Sequence, residues 1–324
     1  MCTAVSFLGD KHYFGRNLDI ECSYHESVII TPRNYEFFFR HKESINEHYA
    51  MIGIGIVSDD YPLYFDATNE KGVSIAGLNF PDYAKYYKCK SGFDNIAPFE
   101  LIPWILSQCK DILEVKKLLL KINIINENFK ENMPLTPLHW IIADKLSSIT
   151  LETTAEGMKI YDNPVGVLTN NPTFDMQMFN LNNYMSITKG VPKNSFSDKL
   201  NLSVYSNGMG GLGLPGDLSS ASRFVKASFT KLNSVTPDTE YGSISQFFHI
   251  LGSVYQERGC VEVKKGLYEI TRYSSCCNTD EGIFYYKTYN NNRLSAVDMN
   301  KENLDINKLI TYKITDKEDI FFQN

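Results

Sequence analysis

The sequence predicts an α+β protein whose sheets are covered by helices. Three observations carry that expectation. Strand-type segments crowd both ends of the chain, two apolar helical blocks interrupt them, and no internal repeat, low-complexity tract or long Pro/Gly/Ser linker divides the whole. The 324 residues can bury a sizeable core and read as one domain. The 20 Tyr and 20 Phe suit strands and apolar pockets.

The elements follow in order. Residues 3–8 are β-type, Gly9-Asp10 supplies turn chemistry, and residues 12–16 return as the second strand of a hairpin. Further strands are expected at 27–32, 35–40, 51–57, 73–78, 140–143 and 149–153. After Pro98, Leu101, Ile102, Ile105 and Leu106 recur at helical spacing, and Ile112, Val115, Leu118 and Leu119 do so after Asp111. A second helical block covers 220–232 and 244–258, with Phe224, Val225, Phe229, Phe247, Phe248, Ile250 and Leu251 apolar at helical intervals. Strands return at 267–273, 282–289, 294–297 and 309–314. Residues 170–218 form the least regular stretch, a long excursion.

Charge and cysteine content narrow the function. A formal net charge of −6 implies no broad basic surface, so no nucleic-acid partner is expected. No apolar run reaches membrane-spanning length and no signal peptide opens the chain, so neither membrane insertion nor export is expected. Seven cysteines without a scaffold pattern are then expected to be reduced, in a cytoplasmic protein.

Cys2 is the candidate nucleophile. If Met1 is removed, its thiol and a free α-amine share one residue. Such an amine has a pKa of about 7.7–8.0, against about 10.4 for lysine, so it can take a proton near neutrality and activate the thiol. The hairpin holds this terminus rigidly and returns Gly15-Arg16-Asn17-Leu18-Asp19 beside it. Arg16 would favour the thiolate, and Asp19 would orient the amine.

Other patterns carry less. Gly208-Met209-Gly210-Gly211-Leu212-Gly213 has dinucleotide-loop spacing, but Leu214-Pro215-Gly216 intervenes before any helix and no βαβ unit surrounds it. Cys276-Cys277 lacks metal-ligand spacing, and His139 and His249 read as packed histidines. No metal or organic cofactor is expected.

A resemblance then runs through the chain in order. Its residues are Met-Cys-Thr-Ala at the start, Phe-Gly-Arg-Asn-Leu-Asp at 14–19, Asn-Glu-Lys-Gly at 69–72, Ala-Gly-Leu-Asn-Phe-Pro at 76–81 and Leu-His-Trp at 138–140. Gly-Val-Leu-Thr-Asn-Asn-Pro at 166–172, Gly-Leu-Pro-Gly-Asp at 213–217, Ser-Arg-Phe at 222–224, Gln-Phe-Phe-His-Ile-Leu at 246–251 and Asp-Met-Asn-Lys-Glu-Asn-Leu at 298–304 continue it. The chain resembles the choloylglycine hydrolases, a family of N-terminal nucleophile hydrolases, and looks closest to the bile salt hydrolases of lactobacilli and enterococci. The resemblance implies a four-layer αββα sandwich over residues 2–324, with Met1 removed. It implies Cys2 as nucleophile and Arg16, Asp19, Asn79, Asn170 and Arg223 as its catalytic partners. The implied substrates are conjugated bile acids, and the implied assembly is a homotetramer, with the 170–218 excursion as an arm.

The resemblance puts the steroid pocket in loops after the hairpin and around 58–66 and 129–137, with Leu18, Tyr24, Phe65, Asn79, Met133 and Leu135 as lining candidates. Relatives that prefer penicillin V often carry tyrosine where this chain has Asn79, which favours bile salts. An acylase for penicillin V or acyl-homoserine lactones is the same-fold alternative, and a non-catalytic lipid- or steroid-binding relative is the alternative of another class.

Overall fold

A computed structural model describes residues 1–236 and 238–324. Two antiparallel sheets face each other. The six-stranded sheet runs Val167–Leu168, Cys2–Leu8, His12–Ile20, Ile270–Asn278, Ile283–Thr288, Ser295–Asp298. The eight-stranded sheet runs Gly157–Asp162, Ser148–Thr154, Leu138–Ala143, Ser74–Asn79, Tyr61–Asn69, Met51–Ser58, Ser27–Thr31, Ile310–Lys313.

Period-two alternation divides the core between the two faces of the eight-stranded sheet. Val28, Ile30, Ile52, Ile54 and Ile141 pack with Ala4, Phe14 and Leu18 of the other sheet. Their neighbours Ile29, Met51 and Ile142 face outward, against Leu101, Ile105, Val115 and Leu119 of the helices Leu101–Leu106 and Ile112–Leu119. Both faces being buried, these strands read as nearly continuous apolar runs. The helices Ser220–Asn233 and Glu240–Gly252 cover the outer face of the six-stranded sheet, where Phe7 meets Phe247 at 6.5 Å between ring centroids. The result is helix, sheet, sheet, helix.

Several expectations are corrected. Residues 35–40 are not a strand. Phe37 and Phe39 are buried and Phe38 is exposed, so the alternation is real, but the segment's one backbone bridge is Phe37 to Ile45. Aromatic packing produces the pattern without a neighbouring strand. The expected loop at 58–66 is mostly the strand Tyr61–Asn69, entered through Asp59 and Asp60 at φ 49° and 58°. Pro62 obscures it, yet proline is tolerated near a strand's start. The expected helix at 244–258 lies earlier, at Glu240–Gly252, because Thr239 caps it by accepting from the Gly242 N–H. The strand expected at 267–273 breaks at Glu269 and resumes as Ile270–Asn278.

Phe247 is fully buried between Phe7 and Phe248. Phe247→Ala should therefore cost about 3–5 kcal/mol of stability, read from a urea midpoint shift.

Candidate active site

Cys2 begins the first strand, buried at 4% exposure. The hairpin register sets Cys2 opposite Leu18 and Ala4 opposite Arg16. Alternation then places Cys2, Arg16 and Leu18 on the face toward the eight-stranded sheet, and Asp19 on the other. Arg16 and Asp19 thus approach the first residues from opposite sides.

On the helix side, Arg223 is the hub. Its Nη1 donates to the Cys2 carbonyl at 2.6 Å and to Thr3 Oγ1 at 2.7 Å, and its Nη2 donates to Asn170 Oδ1 at 2.7 Å. The Cys2 N–H donates to the same Asn170 oxygen at 2.9 Å. Asn170 Nδ2 donates to the Asn79 carbonyl at 2.7 Å, so the Asn170 amide is oriented by partners at both ends. Asp19 Oδ1 accepts from Thr271 Oγ1 at 2.7 Å. Asp19 Oδ2 is buried without a hydrogen-bond partner among the described residues and lies 3.9 Å from Arg223 Nη1. On the inter-sheet side, Arg16 Nη1 donates to the carbonyls of Phe65 at 3.1 Å and Gly77 at 2.5 Å.

The six expected catalytic residues are therefore brought together. Asp19 departs in one respect: its carboxylate meets Thr271, while its backbone carbonyl accepts from the Met1 ammonium at 2.5 Å. That ammonium also pairs with Glu269. The pocket candidates divide. Leu18 faces Cys2 across the hairpin, and Tyr24 meets Phe65 edge-on at 5.9 Å. Met133 is half-buried, packed against the core that lies beneath the outer helices. Leu135 is half-buried in the segment whose Pro137 carbonyl accepts from the N–H of Phe80, the residue after Asn79. A surface cavity of about 1150 Å³ is lined by Tyr35, Phe38, Arg40 and Asp60 among others and includes none of these residues. Among the described residues no group of three or more His, Cys, Asp or Glu could hold a metal ion.

Burial dominates the electrostatics. It pushes the Asp19 carboxyl up and the Arg223 guanidinium down, each opposed by the other's charge. Burial would also lower Arg16, but Cys2, Tyr273, Asp66 and Asp19 together hold its guanidinium above its ordinary value. Burial lowers the Met1 ammonium from 8.0, against Cys2 and Asp19.

Sequence reasoning missed the supporting residues. His139 contacts Glu152 Oε1 at 3.1 Å and the Thr169 carbonyl at 3.0 Å, bracing the residue before Asn170. Glu152 Oε1 also accepts from the Phe174 N–H at 2.9 Å. Asp66 joins Tyr273 and Ser275 across the two sheets. A carboxylate inside an apolar strand was the available signal for Asp66 and Glu152. Glu269 offered none.

Residues 2–312 match the family model described as linear amide C–N hydrolases, choloylglycine hydrolase family. The chain belongs to this family. It is accordingly an amidohydrolase acting on linear amides. It is 56% identical to a bile salt hydrolase/transferase of Lactiplantibacillus plantarum, over 100% of both chains. It is 41% identical to a bile salt hydrolase/transferase of Clostridium perfringens, over 97% of each. A crystal structure of a conjugated bile acid hydrolase variant from Clostridium perfringens superposes with a TM-score of 0.91, at 39% identity over 100% of both chains. Penicillin V acylase from Agrobacterium tumefaciens shares the fold, with a TM-score of 0.75 at 18% identity over 96% of this chain and 91% of that one. The four layers are those of an N-terminal nucleophile hydrolase, in the α+β class.

Arg223→Lys should keep a charge but lose the fork that joins Cys2, Thr3 and Asn170. Turnover in family assays should fall about 10²-fold, the scale of losing one preorganised polar contact. The parent's far-UV circular dichroism should persist.

Proposed function

We propose that the protein is a bile salt hydrolase, cleaving the amide of glycine- and taurine-conjugated bile acids to free bile acid and amino acid. One observation carries the reading: the buried node in which Cys2, Asn170, Arg223 and Asn79 meet, within a chain that matches bile salt hydrolases along its whole length. Once Met1 is lost, the Cys2 thiolate attacks the amide carbonyl and a tetrahedral oxyanion forms. The Asn170 side-chain amide and the Asn79 backbone N–H are its proposed donors. The Cys2 α-amine protonates the departing glycine or taurine nitrogen, leaving an acyl thioester. Water, deprotonated by the same amine, releases the bile acid and restores the thiol. Capture of the thioester by an amine instead would be a transfer reaction, which the name of the Lactiplantibacillus plantarum relative includes. Arg16 and Arg223 bring positive charge to Cys2 from the two sides of its sheet, and Leu18, Tyr24, Phe65, Asn79, Met133 and Leu135 remain the pocket proposal.

The mature protein should start at Cys2, as read by intact mass, and Cys2→Ser should fold but lose most activity. An active preparation quantitatively retaining Met1 would refute the mechanism. Amino acid release from glycocholate should exceed release from penicillin V at equal subsaturating concentration. The reverse order would favour the penicillin V acylase reading.

The cytoplasm is the proposed location, and one domain over 2–324 the proposed organisation. No helix among the described residues is long and apolar enough to cross a membrane. A homotetramer is the proposed assembly. The 170–218 excursion exposes Phe179, Met185, Val191, Phe196, Tyr205 and Leu212, a density of apolar side chains that suits contact with further copies. Light scattering should give four copies of the 37.0 kDa chain, falling to smaller species on Phe179→Asp with Phe196→Asp. An unchanged mass would remove the arm from the assembly.

A further inference from the structure

Asp66 is a buried carboxylate that the reaction above does not use. It lies in the strand Tyr61–Asn69, is 1% exposed and pairs with Ala76 in its own sheet. Its side chain crosses to the other sheet. Oδ1 accepts from the Tyr273 hydroxyl at 3.0 Å and Oδ2 from Ser275 Oγ at 3.0 Å. Ser275 Oγ in turn accepts from the Arg16 backbone N–H at 3.1 Å. The carbonyls that hold the Arg16 guanidinium belong to Phe65 and Gly77, the neighbours of the Asp66–Ala76 pair. Arg16 is thus tethered at its backbone through Ser275 to Asp66, and at its guanidinium by the backbone flanking Asp66. Its Nη2 is buried without a hydrogen-bond partner among the described residues.

We propose that Asp66 is a positioning residue for catalysis: anchored by Tyr273, it locks Arg16 through Ser275 across the two sheets and supplies the counter-charge that moderates the Arg16 field at Cys2. A guanidinium in a dry layer is costly unless its charge is balanced and its donors are directed. Hydrogen bonds to carbonyls direct it but do not neutralise it. The charged and titratable groups facing Asp66 are Arg16, Tyr273 and Cys277. Burial raises the Asp66 carboxyl to about 6, against Arg16, Tyr273 and Ser275, which lower it. Asp66 is therefore ionised above about pH 6 and neutral below it, where the counter-charge is lost.

The inference rests on Cys2 being the nucleophile, and its test separates the two. Asp66→Asn removes the charge at nearly constant size. In the mature enzyme, kcat for glycocholate at pH 7 should fall about tenfold, the scale of one charge-assisted hydrogen bond, with KM changed less than about twofold. The step in kcat near pH 6 should vanish, and iodoacetamide alkylation of Cys2 should rise at lower pH than in the parent. A merely structural role would leave the alkylation profile in place. Should Asp66→Asn fail to fold, Tyr273→Phe decides: it keeps the charge but releases Oδ1, and should lower kcat at constant KM. Parental kcat and alkylation profile in the folded variant would overturn the inference, while an inactive Cys2→Ser would leave the nucleophile standing. Activity in Cys2→Ser would overturn both.

Discussion

A buried arginine holds the site together. Arg223 reaches from the helix Ser220–Asn233 to the first two residues of the leading strand and to the Asn170 side chain, with its Nε donating to the Leu218 carbonyl at 3.0 Å. Such a group is expensive to bury and tolerable only where acceptors converge on it. Here they come from three chain segments. The cation therefore dictates where those segments meet, and the Cys2 carbonyl, the Asn170 amide and the Asn79 carbonyl take their orientations from one network. A carboxylate 3.9 Å away offsets its charge only in part, since burial still lowers Arg223 and raises Asp19.

Strand alternation supplies the complementary half. Arg16 and Asp19 lie three positions apart in one strand, so they emerge on opposite faces. Arg16 enters the layer between the sheets, where the eight-stranded sheet offers carbonyls. Asp19 turns toward the helix side, where Arg223 and Thr271 receive it. Two buried arginines thus flank the first residue from the two sides of its sheet. A helix could not do this, because residues three apart would share a face. Behind Asn170, the contacts of His139 with Glu152 and with the Thr169 carbonyl do the equivalent work for the entering segment.

Much of this was legible. The opening hairpin follows from β-type residues around Gly9-Asp10, and a hairpin alone explains why residues 15–19 return to Cys2. The family motifs then supplied Asn79, Asn170 and Arg223, which no local rule connects. What escaped was non-local or ambiguous. The Asp66 contacts with Tyr273 and Ser275 span 207 and 209 positions, and no periodicity encodes such a meeting. Residues 35–40 alternate like a strand because their aromatics pack against Trp104 and Tyr61, not because a partner strand exists. The helix boundary near 240 turned on a threonine cap, and the break at Glu269 on a change of partner, from the strand Glu262–Lys264 to the strand His12–Ile20.

The chain start shows how the same burial serves the chemistry. With Met1 attached, the Cys2 nitrogen is an amide that donates to Asn170 Oδ1, and its lone pair, delocalised into the Met1 carbonyl, does not take a proton. The Met1 ammonium beyond it is held by the Asp19 carbonyl and Glu269, and burial already draws it below its ordinary value. Loss of Met1 converts the Cys2 nitrogen to an amine while Asn170, Arg223 and the strand register still fix its place. Desolvation acting on that nitrogen would favour its neutral, proton-accepting form, whereas Asp19 would favour the ammonium. Asp19 and Arg223 act on the Met1 ammonium with opposite sign, and both lie on the helix side of the sheet. On a Cys2 amine in that place, burial and Arg223 would act against Asp19, so the groups that position the first residue would also tune its capacity to move a proton.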